Sequence, residues 1–191
     1  MLAPLTLDAA GWVHPARHVP SPNHDAQTEP PSLLVVHHIS LPPGQFGGDD
    51  IERLFTNTLD PNAHPDYHWI AALRVSAHFL IERDGTVTQF VSCLERAWHA
   101  GVSSFEGRET CNDFSVGIEL EGTDDLPFTD AQYDALTALT RQLQSAFTAI
   151  TTQRICGHSD IAPGSKTDPG TAFDWARYRA ALAKAAMEKE E

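Results

Sequence analysis

The chain has 191 residues, 26 acidic against 13 basic side chains, a formal net charge of −13 and a hydrophobic fraction of 41%. That length fits one domain able to bury its own core. The acidic balance excludes nucleic acid, whose phosphates need a basic face, and attraction to anionic membrane surfaces.

The first stretch, MLAPLTLDAAGWVHPAR, carries no basic residue before Arg17 and an acid at Asp8. It lacks the charged start and longer apolar run of a secretory signal. No run approaches the roughly 18 apolar residues that span a bilayer. Cys93, Cys111 and Cys156 make an odd count without framework spacing, so reduced thiols in a cytoplasmic protein are expected.

Residues 1–31 read as a lead-in, proline-rich and polar from 14 onward, to a catalytic core over 32–182; 183–191 read as a solvated helix tail. LLVVHHIS, Leu33–Ser40, reads as a buried strand. Alternation puts His37 on the face of Leu33 and Val35 and His38 on the other. A Pro- and Gly-rich loop, Pro42–Asp60, follows and includes a short helix from about Asp49 to Asn57. VSAHFLIERDGTVTQFV, Val75–Val91, predicts a hairpin turning at Asp84-Gly85 with positive φ at both positions.

FSVGIELEG, Phe114–Gly122, is a further strand, with Ile118 and Leu120 on one face and Glu119 and Glu121 on the other. TDAQ at Thr129 is a capping box opening a helix whose Tyr133, Leu136, Leu139, Leu143 and Phe147 recur at helical spacing. RICGH, Arg154–His158, predicts a short strand ending in a histidine. After the loop DIAPGSKTDPG, Thr171 or Asp174 caps a last helix. This order of elements predicts a single α/β domain, a mixed sheet flanked by helices.

His37 and His158, at strand ends, can meet across neighbouring strands, and Asp168 follows ten residues after His158. Two imidazoles and a carboxylate leave the fourth tetrahedral position of a zinc ion open, the catalytic arrangement. Such an ion lowers the pKa of bound water toward ~7 and polarises a carbonyl. Cys156 is the rival third ligand, but strand geometry sends it roughly 6–7 Å further down, into the core. Asp168 is favoured, with Cys156 a small buried hydrophobe. Taken singly, each of these side chains also has an ordinary structural reading. Spacing alone says little, because there is no HExxH or CxxC.

VVHHISLPPGQFGG, VSAHFLIERDGTVTQFV, RAWHAGVSSFEGRETCNDFSVGIELEGTD and GHSDIAPGSKTDPGTAFDWARYR together resemble the AmpD-type 1,6-anhydro-N-acetylmuramyl-L-alanine amidases. These are zinc amidases sharing the peptidoglycan-recognition-protein fold, and the likeness runs from about Gly11 to Leu182. The resemblance implies one Zn²⁺ per chain held by His37, His158 and Asp168. It implies Glu119 as catalytic acid/base, with Glu121 on the same face as a competitor, and Lys166 as a stabiliser of the tetrahedral intermediate. The implied substrate is a cytoplasmic anhydromuropeptide, cut between the lactyl group and L-alanine during wall recycling by a monomer. In some bacteria that removal also lowers the signal inducing β-lactamase.

Trp98, Arg74 and His38 are placed as substrate contacts: Trp98 as a platform for a sugar ring, Arg74 as a partner for a stem-peptide carboxylate. His78 reads as a satisfied core histidine, and His99 stays ambiguous. Three positions depart from the family pattern: His38 for asparagine, Ser159 for cysteine and Thr110 for arginine. The last removes one arginine contact to the stem peptide and leaves Arg74 and Arg108. The rival readings are an amidase of intact peptidoglycan and a non-catalytic muropeptide-binding module.

Overall fold

In the computed structural model, residues 5–187 are described. Four short strands come first: β1 (Thr6–Leu7), β2 (Val13–His14), β3 (Arg17–His18) and β4 (His24–Ala26). Then follow β5 (Leu33–Ile39), helices α1 (Asp50–Phe55) and α2 (Tyr67–Ile70), and β6 (Phe79–Ile81), β7 (Val87–Gln89) and β8 (Glu95–Ala97). The hairpin β9 (Ser104–Phe105) and β10 (Arg108–Glu109) precedes β11 (Ser115–Glu121) and α3 (Asp130–Ala146). The chain closes with β12 (Ile155–Gly157), α4 (His158–Ile161) and α5 (Trp175–Met187). The charged tail expected beyond residue 183 falls largely outside the described residues.

Six strands form one mixed sheet in the order β12-β5-β11-β6-β7-β3. Its centre is the parallel pair β5 and β11, in register so that Glu119 lies opposite His37 and Gly117 opposite Val35. Paired residues of a parallel ladder share a face. Leu34, Val36, Val116, Ile118 and Leu120 therefore point one way, into a core with Leu136, Leu139 and Leu143 of α3 and Tyr178 of α5. Leu33, Val35 and Cys156 point the other way, against Phe114, Ala100 and Ile161. Parallel strands buried on both faces read as near-continuous apolar runs, as LLVV does.

α3 starts where its capping box predicts. Thr129 Oγ1 accepts from Gln132 N and Gln132 Oε1 accepts from Thr129 N, both at 3.1 Å. Asp174, and not Thr171, caps α5, its Oδ1 accepting from Arg177 N at 2.9 Å.

Two expectations are corrected. The β6–β7 ladder covers 79–81 and 87–89 only, and its turn has positive φ at Gly85 but not at Asp84. Glu82 N donates to Thr86 O and Gly85 N to Glu82 O, at 2.9 Å each, so this is the longer loop closed by a left-handed glycine. The second correction concerns RICGH. Its strand stops at Gly157, and His158 opens the one-turn helix α4. Asp160 Oδ2 accepts from Gly157 N at 2.8 Å, which draws the chain off the sheet.

The lead-in belongs to the fold. β3 is the sheet's edge strand, and β4 pairs antiparallel with β8.

Candidate metal centre and active site

β5 ends by delivering His37 to the rim of the sheet, 1% exposed. β12 ends beside it, and the turn into α4 swings His158 toward His37. Gly157 permits this approach, because a Cβ there would lie 2.6 Å from Pro169 Cδ. The 168–169 backbone is thereby packed on α4, with Ser159 N donating to Asp168 O at 2.9 Å.

Three atoms converge. His37 Nδ1 lies 3.0 Å from His158 Nδ1 and 2.9 Å from Asp168 Oδ2, and His158 Nδ1 lies 3.0 Å from Asp168 Oδ2. Among the described residues, this is the one His/Cys/Asp/Glu set close enough to share an ion.

The donor chemistry fits zinc. His158 Nε2 faces the Ala100 carbonyl at 3.2 Å; a carbonyl only accepts, so Nε2 carries a proton, and in the neutral ring Nδ1 then presents a lone pair. Burial holds the His37 imidazole neutral, down to about 4, although Asp168 opposes this. Burial alone would raise the Asp168 carboxyl, but the adjoining His158 and His37 rings outweigh it and hold the group below its ordinary value. Neutral imidazole nitrogens and a carboxylate are zinc ligands, and bonds of 2.0–2.1 Å put tetrahedral ligand atoms about 3.3 Å apart. The observed triangle needs to open by only a few tenths of an ångström. Cys156 stays apart, its Sγ 3.9 Å from Leu34 O and its thiol pushed up to about 12, chiefly by burial.

Glu119 and Glu121 share a face of β11 but differ in company. Glu121 is 3% exposed and accepts from Gly47 N with Oε1 and from Arg83 N with Oε2. Glu119 Oε2 is buried with no hydrogen-bond partner. Burial first, and then the charge of Asp168, push the Glu119 carboxyl well above its ordinary value, with Lys166 opposing. The Lys166 side chain is exposed, on the loop that carries Asp168. A carboxyl able to take a proton, beside three side chains that could hold a cation, can serve water-driven hydrolysis of an acyl bond.

The outer residues fall out unevenly. His38 Nε2 contacts Asp124 Oδ1 at 2.9 Å, while Asp124 Oδ2 accepts from Thr167 Oγ1 at 2.9 Å, tying β5 to the Lys166–Asp168 loop. Trp98 is half-buried, with its indole N–H unpartnered. Arg74 is exposed and folds onto the carbonyls of Ala72 and Leu73. Arg108 is not free for a ligand: it pairs with Glu29 and lies 3.9 Å over the Phe114 ring. An open cleft of about 490 Å³, lined by Val102, Ser103, Glu109, Thr110, Ile161 and Ser165, carries no basic side chain.

His78 is a satisfied core residue: Nδ1 accepts from Gly117 N at 3.1 Å, and Nε2 faces Glu95 O at 3.0 Å. His99 is what sequence reasoning left undecided. Its Nδ1 lies 2.9 Å from His37 Nε2, behind the converging atoms. The available signal was Gly117, since glycine inside a strand marks a close approach; a Cβ there would lie 2.4 Å from the His99 ring.

A model of the N-acetylmuramoyl-L-alanine amidase family matches residues 27–171. The chain is 61% identical over 179 residues to a Salmonella typhimurium protein named 1,6-anhydro-N-acetylmuramyl-L-alanine amidase AmpD, covering 93% of this chain and 95% of that one. A crystal structure of a selenomethionine derivative of AmpD superposes with a TM-score of 0.90 at 61% identity, over 92% of this chain and 98% of that one. AmpDh3 from Pseudomonas aeruginosa, solved with an anhydromuramic pentapeptide, gives 0.63 at 26% identity, over 80% and 60% of the two chains. Fold, site geometry and likeness over nearly the whole length agree: the chain belongs to the N-acetylmuramoyl-L-alanine amidase family, on its AmpD-type branch.

Proposed function

We propose that this protein hydrolyses the lactyl–L-alanine amide of 1,6-anhydro-N-acetylmuramyl peptides in the cytoplasm, freeing the stem peptide for reuse and thereby lowering β-lactamase-inducing muropeptides. The observation that carries the reading is the buried, unpartnered Oε2 of Glu119, on the same side as three convergent lone-pair donors. The name of the Salmonella relative and the anhydromuramic pentapeptide in the AmpDh3 structure support the substrate class.

His37, His158 and Asp168 would hold the ion, and a zinc ion, when bound, supplies Lewis acidity at the scissile carbonyl. Glu119 takes the proton of the attacking water and returns it to the leaving nitrogen, a task suited to a carboxyl raised by burial. Lys166 places an ammonium toward the developing oxyanion. Trp98 offers an apolar face to the sugar. Arg74 pairs with a stem-peptide carboxylate, and His38, through Asp124, sets the wall beside it.

The test is mass spectrometry of products from a purified anhydromuropeptide and from intact sacculi, with and without a zinc chelator. Chelator-sensitive peptide release from the anhydromuropeptide alone is expected. Release from sacculi as well would make it a general wall amidase, and release from neither, with zinc bound, a binding module.

A further inference from the structure

The two converging imidazoles are held from behind by consecutive residues of one irregular segment. His99 presents Nδ1 to His37 Nε2 at 2.9 Å, and the Ala100 carbonyl faces His158 Nε2 at 3.2 Å. This segment follows the end of β8 and has no ladder to fix it. Asn112 holds the two backbone amides: its Oδ1 accepts from His99 N at 3.1 Å and from Ala100 N at 2.8 Å. Asn112 is itself buried. The His99 ring is confined at its other end, where Ser115 Oγ lies 3.2 Å from Nε2.

We propose that His99, held by Asn112 and Ser115, is a positioning residue that sets the tautomer of His37, so that residues 99–100 aim both Nδ1 lone pairs at one cation. The proposal rests on the metal reading of His37, His158 and Asp168. A neutral imidazole carries one N–H. For His158 the Ala100 carbonyl decides where it sits. For His37 the partner is another imidazole, which can donate or accept. If His99 Nε2–H donates to Ser115 Oγ, then His99 Nδ1 is bare and accepts from His37 Nε2–H. That leaves His37 Nδ1 bare, facing Asp168. The reverse arrangement puts an N–H where the ion belongs. Outer partners of this kind fix ring orientation, and losing one costs 10–100-fold in metal affinity.

The test measures zinc affinity of the full chain by competition with a chromogenic chelator, with circular dichroism as the folding check. His99→Phe should weaken zinc by about 10–100-fold, and His99→Asn, whose amide oxygen can accept from His37 Nε2, should recover most of it. Asn112→Ala should weaken zinc, whereas Asn112→Asp, which keeps the acceptor, should not. Long-range ¹H–¹⁵N spectra of the zinc-loaded protein should show His99 as the Nε2–H tautomer. Wild-type affinity in folded His99→Phe, or an Nδ1–H tautomer at His99, overturns the proposal. Should His99→Phe fail to fold, equal affinities in the two Asn112 variants overturn it instead. Asp168→Ala separates the two readings. If it loses zinc while His99→Phe keeps it, only the present inference falls. If the wild type binds no zinc, or Asp168→Ala binds as tightly, the metal reading falls and this one with it.

Discussion

Two buried polar clusters of this molecule are built on opposite rules. In the first, Asn23 and Asn57 exchange reciprocal amide hydrogen bonds at 2.9 Å, and Asn23 Nδ2 also donates to Val75 O at 2.8 Å. Ser76 Oγ donates to Asn23 O at 2.6 Å and accepts from Trp98 N at 3.0 Å. Donors there meet acceptors, and the cluster stitches the lead-in to the core. In the second cluster, three lone-pair donors face one another within 3.0 Å and Glu119 Oε2 meets nothing. A buried polar group without a partner costs about 1–3 kcal/mol. A fold that can satisfy Asn23 this fully leaves Glu119 Oε2 bare, and on the proposed function a ligand completes it. β11 repeats the contrast over three residues, with Glu121 anchored and Glu119 open.

The largest effect should come from closing the open cluster chemically. Glu119→Gln should keep zinc and lower turnover of an anhydromuropeptide by about 10²–10⁴-fold, the usual yield of a general acid/base. Glu121→Gln should leave turnover within several-fold, so equal losses in the two would erase the distinction drawn on β11. Next is the ion itself. Asp168→Ala should lose more zinc affinity than the roughly 10–100-fold of an outer-shell change, and Cys156→Ala should lose none. Metal analysis showing the reverse would move the third ligand to Cys156. The closed cluster answers differently: Asn23→Leu should cost about 1–3 kcal/mol in urea unfolding and leave zinc affinity unchanged. A change in zinc affinity would mean the clusters are not separate.

Parity and local chemistry were legible in the sequence. The LLVV run predicts β5 and the face of His37, and TDAQ predicts the start of α3. What pairs with what was not. The register that sets Glu119 opposite His37 joins residues on two strands far apart in sequence, and no local pattern encodes it. His158 leaves its strand because Asp160 captures the Gly157 amide, a side-chain bond that competes with the ladder. Asn23 lies in a polar stretch with no local signal, since its partners Asn57 and Val75 are distant in sequence. His37, His158 and Asp168 stand out as a set only through family likeness, because two histidines and an aspartate without a spacing motif say little alone.

The smallest effect is the most direct measure of what openness costs the fold. In metal-free protein, burial and the Asp168 charge hold the Glu119 carboxyl above its unfolded value of 4.5. A carboxyl raised by folding contributes stability below that unfolded value and loses it as pH rises through the folded one. Glutamine does not ionise and so loses nothing. Metal-free Glu119→Gln should therefore match the wild type below about pH 4.5 and become the more stable of the two as pH rises. His37, held down to about 4 by burial, weakens both proteins alike on the acid side and cancels in the difference. Urea midpoints of the pair across pH give the result. Zinc should shrink the gap, because a cation beside Glu119 favours its ionised form. A gap of zero at every pH would mean that water already satisfies Glu119, and the contrast with Asn23 would then be one of location alone.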